Sequence, residues 1–177
     1  EKELYQVIEE ANKAGVLQSR QALGSQEPRV GIIICSCGGD ISEVVDVTNV
    51  VEYCWELDGT VLSQQVEYAC TDETAERIKD LARQHNLTHV VLAACSCCRL
   101  DQICFSCSDR RVQCKSNLVG SNQQNGICYE FVNIREHCAW VHRSQPGAVT
   151  AKAKSLIKAG LALSLIHISE PTRQAEI

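Results

Sequence analysis

Apolar positions recur along this chain with two periods, one helical and one not. Residues 3–13 carry Leu4, Val7, Ile8 and Ala11 at i, i+3, i+4 and i+7, which predicts an amphipathic helix stopped by Gly15. Residues 18–29 are polar and close on Pro28, so they read as a linker after an upstream helix at 1–17. Residues 30–34 are an all-apolar, β-branched run, the signature of a strand buried on both faces. Asp46 then caps a helix predicted to turn Val47, Val50, Val51, Cys54 and Trp55 inward and to close at Gly59. A weaker strand spans 61–68. Thr71 or Asp72 caps the next helix, with Ala75, Ile78, Leu81 and Ala82 inward. THVVLAA, residues 88–94, is the clearest buried strand, and 127–132 is a fourth. Asn133 and Glu136 have the spacing of a capping box for a helix carrying Cys138, Trp140 and Val141, with Trp140 as a core anchor. Pro146 begins a last helix with Val149, Ala153, Leu156 and Ile157 apolar.

Strand and helix thus alternate four times. This predicts an α/β fold: an open, mostly parallel four-stranded sheet with flanking helices, Rossmann-like, interrupted by an irregular Cys-rich insert at 96–126. Residues 30–162 form that domain. No fixed-period repeat is present.

Composition narrows the chemistry. The chain has 177 residues, 12 Cys, no Met and a net charge of −5. The acidic balance argues against a nucleic-acid partner. No apolar run is long enough for a membrane span or a signal-peptide core. With a full complement of aliphatics and no secretion signal, a cytoplasmic protein using Cys for metal or redox chemistry is expected rather than a disulfide scaffold.

The ends read as non-native. Residue 1 is Glu, as in a trimmed or partial chain. Residues 163–173, LSLIHISEPTR, are similar to the conceptual translation of a transposase-type sequencing adapter. Residues 163–177 are therefore expected to be a foreign tail, and no role is given to His167, Glu170 or Pro171.

Placed on the predicted strands, the cysteines acquire a pattern. Cys35 and Cys37 follow the first strand, Cys70 the second and Cys95 the third, and Cys138 opens the helix after the fourth. In an open parallel sheet the loops after the strands share one rim, where ligands bind. Five thiols converge there, and four suffice for an iron–sulfur cluster. Which four of the five bind is left open. Gly38 and Gly39 would let the backbone approach a cluster and donate to its sulfides. Cys54 on a helix face and Cys128 within a strand read as core thiols. His85 and His89 read as exposed or capping, and His137 and His142 as solvated helix residues or tuners of the centre. Within the insert, Cys104-x-x-Cys107 together with Cys98 and Cys114 could form a second four-thiolate site, for a second cluster or zinc. Cys97 lies beside them, and Arg110 and Arg111 make a small basic spot.

VGIIICSCGGDISEVVDV, EYACTD, HVVLAACS and FVNIREHCAWVH, in this order, resemble the amino-terminal domain of the heterodisulfide reductase A-subunit family over about residues 30–162. The resemblance implies an iron–sulfur flavoprotein whose amino-terminal domain holds a 4Fe–4S cluster. The family's recurring cysteines match Cys35, Cys37, Cys70, Cys95 and Cys138. It implies electron transfer with other oxidoreductase subunits or ferredoxin-like carriers, and FAD in a domain downstream of this fragment. No G-x-G-x-x-G occurs in this chain, and the Cys-rich insert departs from the family pattern. The competing expectation is a zinc-stabilised scaffold or interaction module with no redox role.

Overall fold

In a computed structural model that describes residues 27–95, 118 and 127–166, the central strand is β1, Val30–Cys35. Every residue of it is buried, because helices cover both faces. Ile32 and Ile34 face one layer, and Ile33 and Cys35 face the other. β3, His89–Ala94, lies beside β1 and is equally buried, with Val91 and Ala93 on the first face and Val90, Leu92 and Ala94 on the second. β2, Thr60–Val66, and β4, Cys128–Asn133, flank this pair. The order is β2-β1-β3-β4 and every pairing is parallel.

Among the described residues, three α-helices complete the layers. α1, Val47–Trp55, and α3, Pro146–Ile166, cover one face through Val47, Val50 and Cys54 and through Val149, Ala153, Ile157 and Leu161. α2, Asp72–Gln84, covers the other face through Ala75, Ile78 and Ala82. Their starts are as the sequence predicts. The Asp46 carboxylate accepts from the Asn49 amide at 3.0 Å, and Thr71 Oγ1 accepts from the Thr74 amide at 3.3 Å. Gly59, with φ +77°, makes the left-handed turn into β2, and its carbonyl accepts from Val30 N at 2.8 Å. No helix among the described residues is long and apolar enough to cross a membrane.

Some expectations hold and others are corrected. β2 is weakly patterned because it is an edge strand: Gln65 is exposed, and buried Ser63 donates to the Val51 carbonyl at 2.9 Å. Trp55 is 51% exposed, because the inward stripe of α1 runs through positions 47, 50 and 54 and the helix ends one residue later. His89 is not exposed. It is a buried member of β3, with Nδ1 2.8 Å from Thr88 Oγ1, and burial lowers its pKa. His85 stands at the end of α2. Cys54 is buried in the core, whereas Cys128, at the start of β4, is half-buried. Of the expected tail, residues 163–166 form the last turn of α3, with Ser164 buried. The upstream helix, most of the linker, the remaining tail and all of the insert except Leu118 lie outside the described residues.

Candidate metal centre

The parallel strands end together on one rim, and backbone pairing continues into the loops that carry the thiols. Ser36 N donates to Val66 O at 2.8 Å, tying the exit of β1 to the end of β2. Ile134 N donates to Ala94 O at 2.9 Å, tying β4 to β3. Cys35 ends β1, and Cys95 follows the last residue of β3. Beyond Cys35 the chain turns through three consecutive left-handed residues, Cys37, Gly38 and Gly39, with φ of 54°, 59° and 106°. This tight return swings the Cys37 thiol back towards Cys35.

Cys35 is buried, and its Sγ accepts from the amides of Cys37 at 3.3 Å and Ala69 at 3.4 Å. When protonated, it faces the Glu67 carbonyl at 3.4 Å. The Cys37 thiol lies within hydrogen-bonding contact of both Cys35 and Cys95. The bond from Cys37 lowers the Cys35 pKa; burial opposes the shift, and the two amides reinforce it. Sharing that proton raises the pKa of Cys37, while the contact with Cys95 and the charge of Arg135 pull it down. The pair thus favours Cys35 over Cys37 as the thiolate.

Cys70 is half-buried, one residue beyond the Ala69 amide that reaches Cys35, and packs on the α2 side of the sheet, as Cys35 does. Cys138 sits differently. It is fully buried on the α1/α3 side, and its thiol donates to the Val149 carbonyl at 3.1 Å. The segment carrying it, Arg135–Trp140, is a single π-helical turn: Ala139 N donates to Ile134 O at 3.0 Å, an i→i+5 bond. The wider turn breaks the expected helical stripe. Cys138 points inward while Trp140 and Val141 are 49% and 63% exposed, so Trp140 is not a core anchor. The Asn133 side chain supplies one bond of the expected box, accepting from Glu136 N at 3.0 Å, while Glu136 Oε1 accepts from Arg135.

The residue the motifs did not single out is Arg135. Its Nη1 donates to Cys37 Sγ at 3.0 Å and lies 3.5 Å from Asp40 Oδ2. Nη2 donates to Glu136 Oε1 at 3.0 Å, and the guanidinium carbon stands 4.7 Å from the centroid of the Trp140 ring. The topology carried a signal for it: Arg135 is two residues past the end of β4, on the rim of the other strand ends.

Gly38 has a steric reason independent of any bound group. A Cβ there would run into the Tyr68 hydroxyl and ring. At Gly39 a Cβ would press on the Glu43 carboxylate. His137 is exposed, and His142 Nε2 lies 2.5 Å from Lys152 Nζ. Cys97, Cys98, Cys104, Cys107, Cys114, Arg110 and Arg111 lie outside the described residues.

These residues fit an iron–sulfur group in donor chemistry. The donors are all sulfur, and two backbone amides and a guanidinium are aimed at them, which favours thiolates and suits an anionic centre. Among the described residues no three His, Cys, Asp or Glu side chains are gathered as a cage for one ion. A cluster, built of several metal atoms, spreads its thiolates over a wider span than a single ion does.

No protein-family model matches the chain. Curated proteins do. It is 36% identical over 155 residues to the CoB–CoM heterodisulfide reductase iron-sulfur A-subunit, form 2, of Methanopyrus kandleri, covering 88% of this chain and 22% of that protein. It is 34% identical over 152 residues to the A-subunit of the H2:CoB-CoM heterodisulfide, ferredoxin reductase of Methanothermobacter marburgensis, covering 86% and 21%. It is 38% identical over 134 residues to the A-subunit of the ferredoxin:CoB-CoM heterodisulfide reductase of Methanosarcina mazei, covering 76% and 16%. The chain spans about a fifth of the length of these relatives.

Proposed function

Because the chain belongs to the heterodisulfide reductase A-subunit family, we propose that it holds one 4Fe–4S cluster on Cys35, Cys37, Cys70 and Cys95 and relays electrons through it. The observation that carries this reading is the contact of Cys37 with both Cys35 and Cys95, from strand ends far apart in sequence. Cys138, hydrogen-bonded on the opposite face of the sheet, is left out of the ligand set.

Such a group, when bound, supplies one-electron chemistry without a general acid, base or nucleophile. The chain's own residues prepare the site for it. The amides of Cys37 and Ala69 and the Arg135 guanidinium donate to the sulfurs and stabilise their negative charge. The buried ends of β1 and β3 exclude water from the inner side of the centre. The exchange partners we propose are a flavin in the rest of the parent protein, another oxidoreductase subunit, or a ferredoxin-like carrier. Two of the relatives above carry ferredoxin in their names. A second metal site on Cys98, Cys104, Cys107 and Cys114, holding a cluster or zinc, belongs to the same proposal.

The test is a redox titration of the anaerobically reconstituted chain followed by electron paramagnetic resonance. A reversible one-electron transition with the signal of a reduced cluster is expected. A chain that takes up zinc but no redox-active iron would overturn the relay and favour a scaffold.

A further inference from the structure

Among the described residues, Arg135 is the guanidinium that bonds a rim thiol, and it is held there from three sides. Asp40 stands beside Nη1, Glu136 accepts from Nη2, and Trp140 lies against the cation. Its side chain is only 16% exposed, so its field is weakly screened by water. Nε is buried and has no hydrogen-bond partner among the described residues. Asp40 and Glu136 offset the charge of this partly desolvated cation, and negative charge gained on the neighbouring sulfur would offset it further.

We propose that Arg135 sets the reduction potential of the centre, its fixed positive charge and N–H···S bond to Cys37 favouring the more negative, reduced state. The inference rests on the cluster reading above and goes beyond it, since the resemblance and the relatives assign no role to this residue. Reduction adds one negative charge to the centre; a cation and a hydrogen-bond donor at a ligand sulfur stabilise the product more than the reactant. The two carboxylates oppose this: Asp40 Oδ2 lies 3.5 Å from the same Nη1 that donates to Cys37, and Glu136 accepts from Nη2. Asp40 is half exposed, at 52%, so water screens its field in part. Glu136, at 20% exposure, is the stronger counterweight. Arg135 is thus a tuning residue whose effect the two acids moderate in graded fashion.

The experiment is a potentiometric titration of the reconstituted full chain, with iron content measured on each sample. Arg135→Gln removes the charge and is expected to lower the midpoint potential. Arg135→Lys keeps the charge without the planar fork and should fall between Gln and wild type. Asp40→Asn keeps an oxygen acceptor beside Nη1 and removes a counter-charge, so it should raise the potential. If Arg135→Gln loses its iron, the sign of the Asp40→Asn shift decides. An unchanged or lowered potential in Asp40→Asn, or an unchanged one in iron-replete Arg135→Gln, overturns the proposal. Failure of the wild-type chain to bind a cluster is a separate result, which overturns the cluster reading itself.

Discussion

The amide of Ala69 points at Cys35 Sγ across 3.4 Å, joining the loop after β2 to the end of β1. The next residue is Cys70, so the same loop that polarises one thiol delivers another. On the α1/α3 side, Cys138 spends its hydrogen on the Val149 carbonyl instead. Serine at Cys35, Cys37, Cys70 or Cys95 is therefore expected to abolish iron retention after anaerobic reconstitution. Cys138→Ser keeps the hydrogen bond and should retain iron, with a stability loss of about 1 kcal/mol. Iron and acid-labile sulfide per chain measure this; loss at Cys138 with retention at Cys70 would exchange their roles.

Gly38 combines a left-handed backbone with contact against Tyr68. Gly38→Ala is expected to lose about 2 kcal/mol, from backbone strain and from displacing the Tyr68 ring. Adding Tyr68→Ala removes the collision and leaves the strain. A double-mutant cycle by denaturant unfolding should show the two changes coupled with a compensating sign. Simple additivity would refute the contact.

Asn133 accepts from Glu136 N at the start of the turn bearing Arg135 and Cys138. Asn133→Ala should cost about 1 kcal/mol, and Asn133→Ser, which keeps an acceptor, should cost less. Equal stabilities of the two variants would show that the cap contributes nothing.

Cys54 gives a pH signature remote from the rim. Burial raises its thiol from 9.0 to about 11, against smaller opposing effects of Lys154 and Ser63. In the unfolded chain the proton is lost first, so the thiol's contribution to stability is complete below pH 9.0 and disappears as pH rises towards about 11. Cys54→Val should remove this alkaline component. Parallel stability curves for the two proteins across that window would contradict the assignment.

The sheet was legible because strands buried on both faces are written as continuous aliphatic runs, as in Ile32–Ile34 and Val90–Leu92. The rim followed from topology, since parallel strands place Cys35 and Cys95 at one edge whatever their separation in sequence. The sorting of the five thiols was not legible. Which face Cys138 takes depends on the π turn, a backbone choice that no hydrophobic period encodes. The same turn put Trp140 outside, over Arg135. Arg135 itself was hidden because a lone basic residue has no motif; only the ends of β1 and β4 on one rim bring it to Cys37. His89 was misread because a polar residue opening a buried strand looks like a turn residue until its neighbour, Thr88, supplies a partner.

The most direct measurement is iron and acid-labile sulfide per chain after anaerobic reconstitution, with zinc assayed on the same sample. About four irons and four sulfides per chain are expected for one cluster at the rim, and about eight of each if the insert holds a second. A colourless chain with zinc, or with no metal and no labile sulfide, would contradict the account.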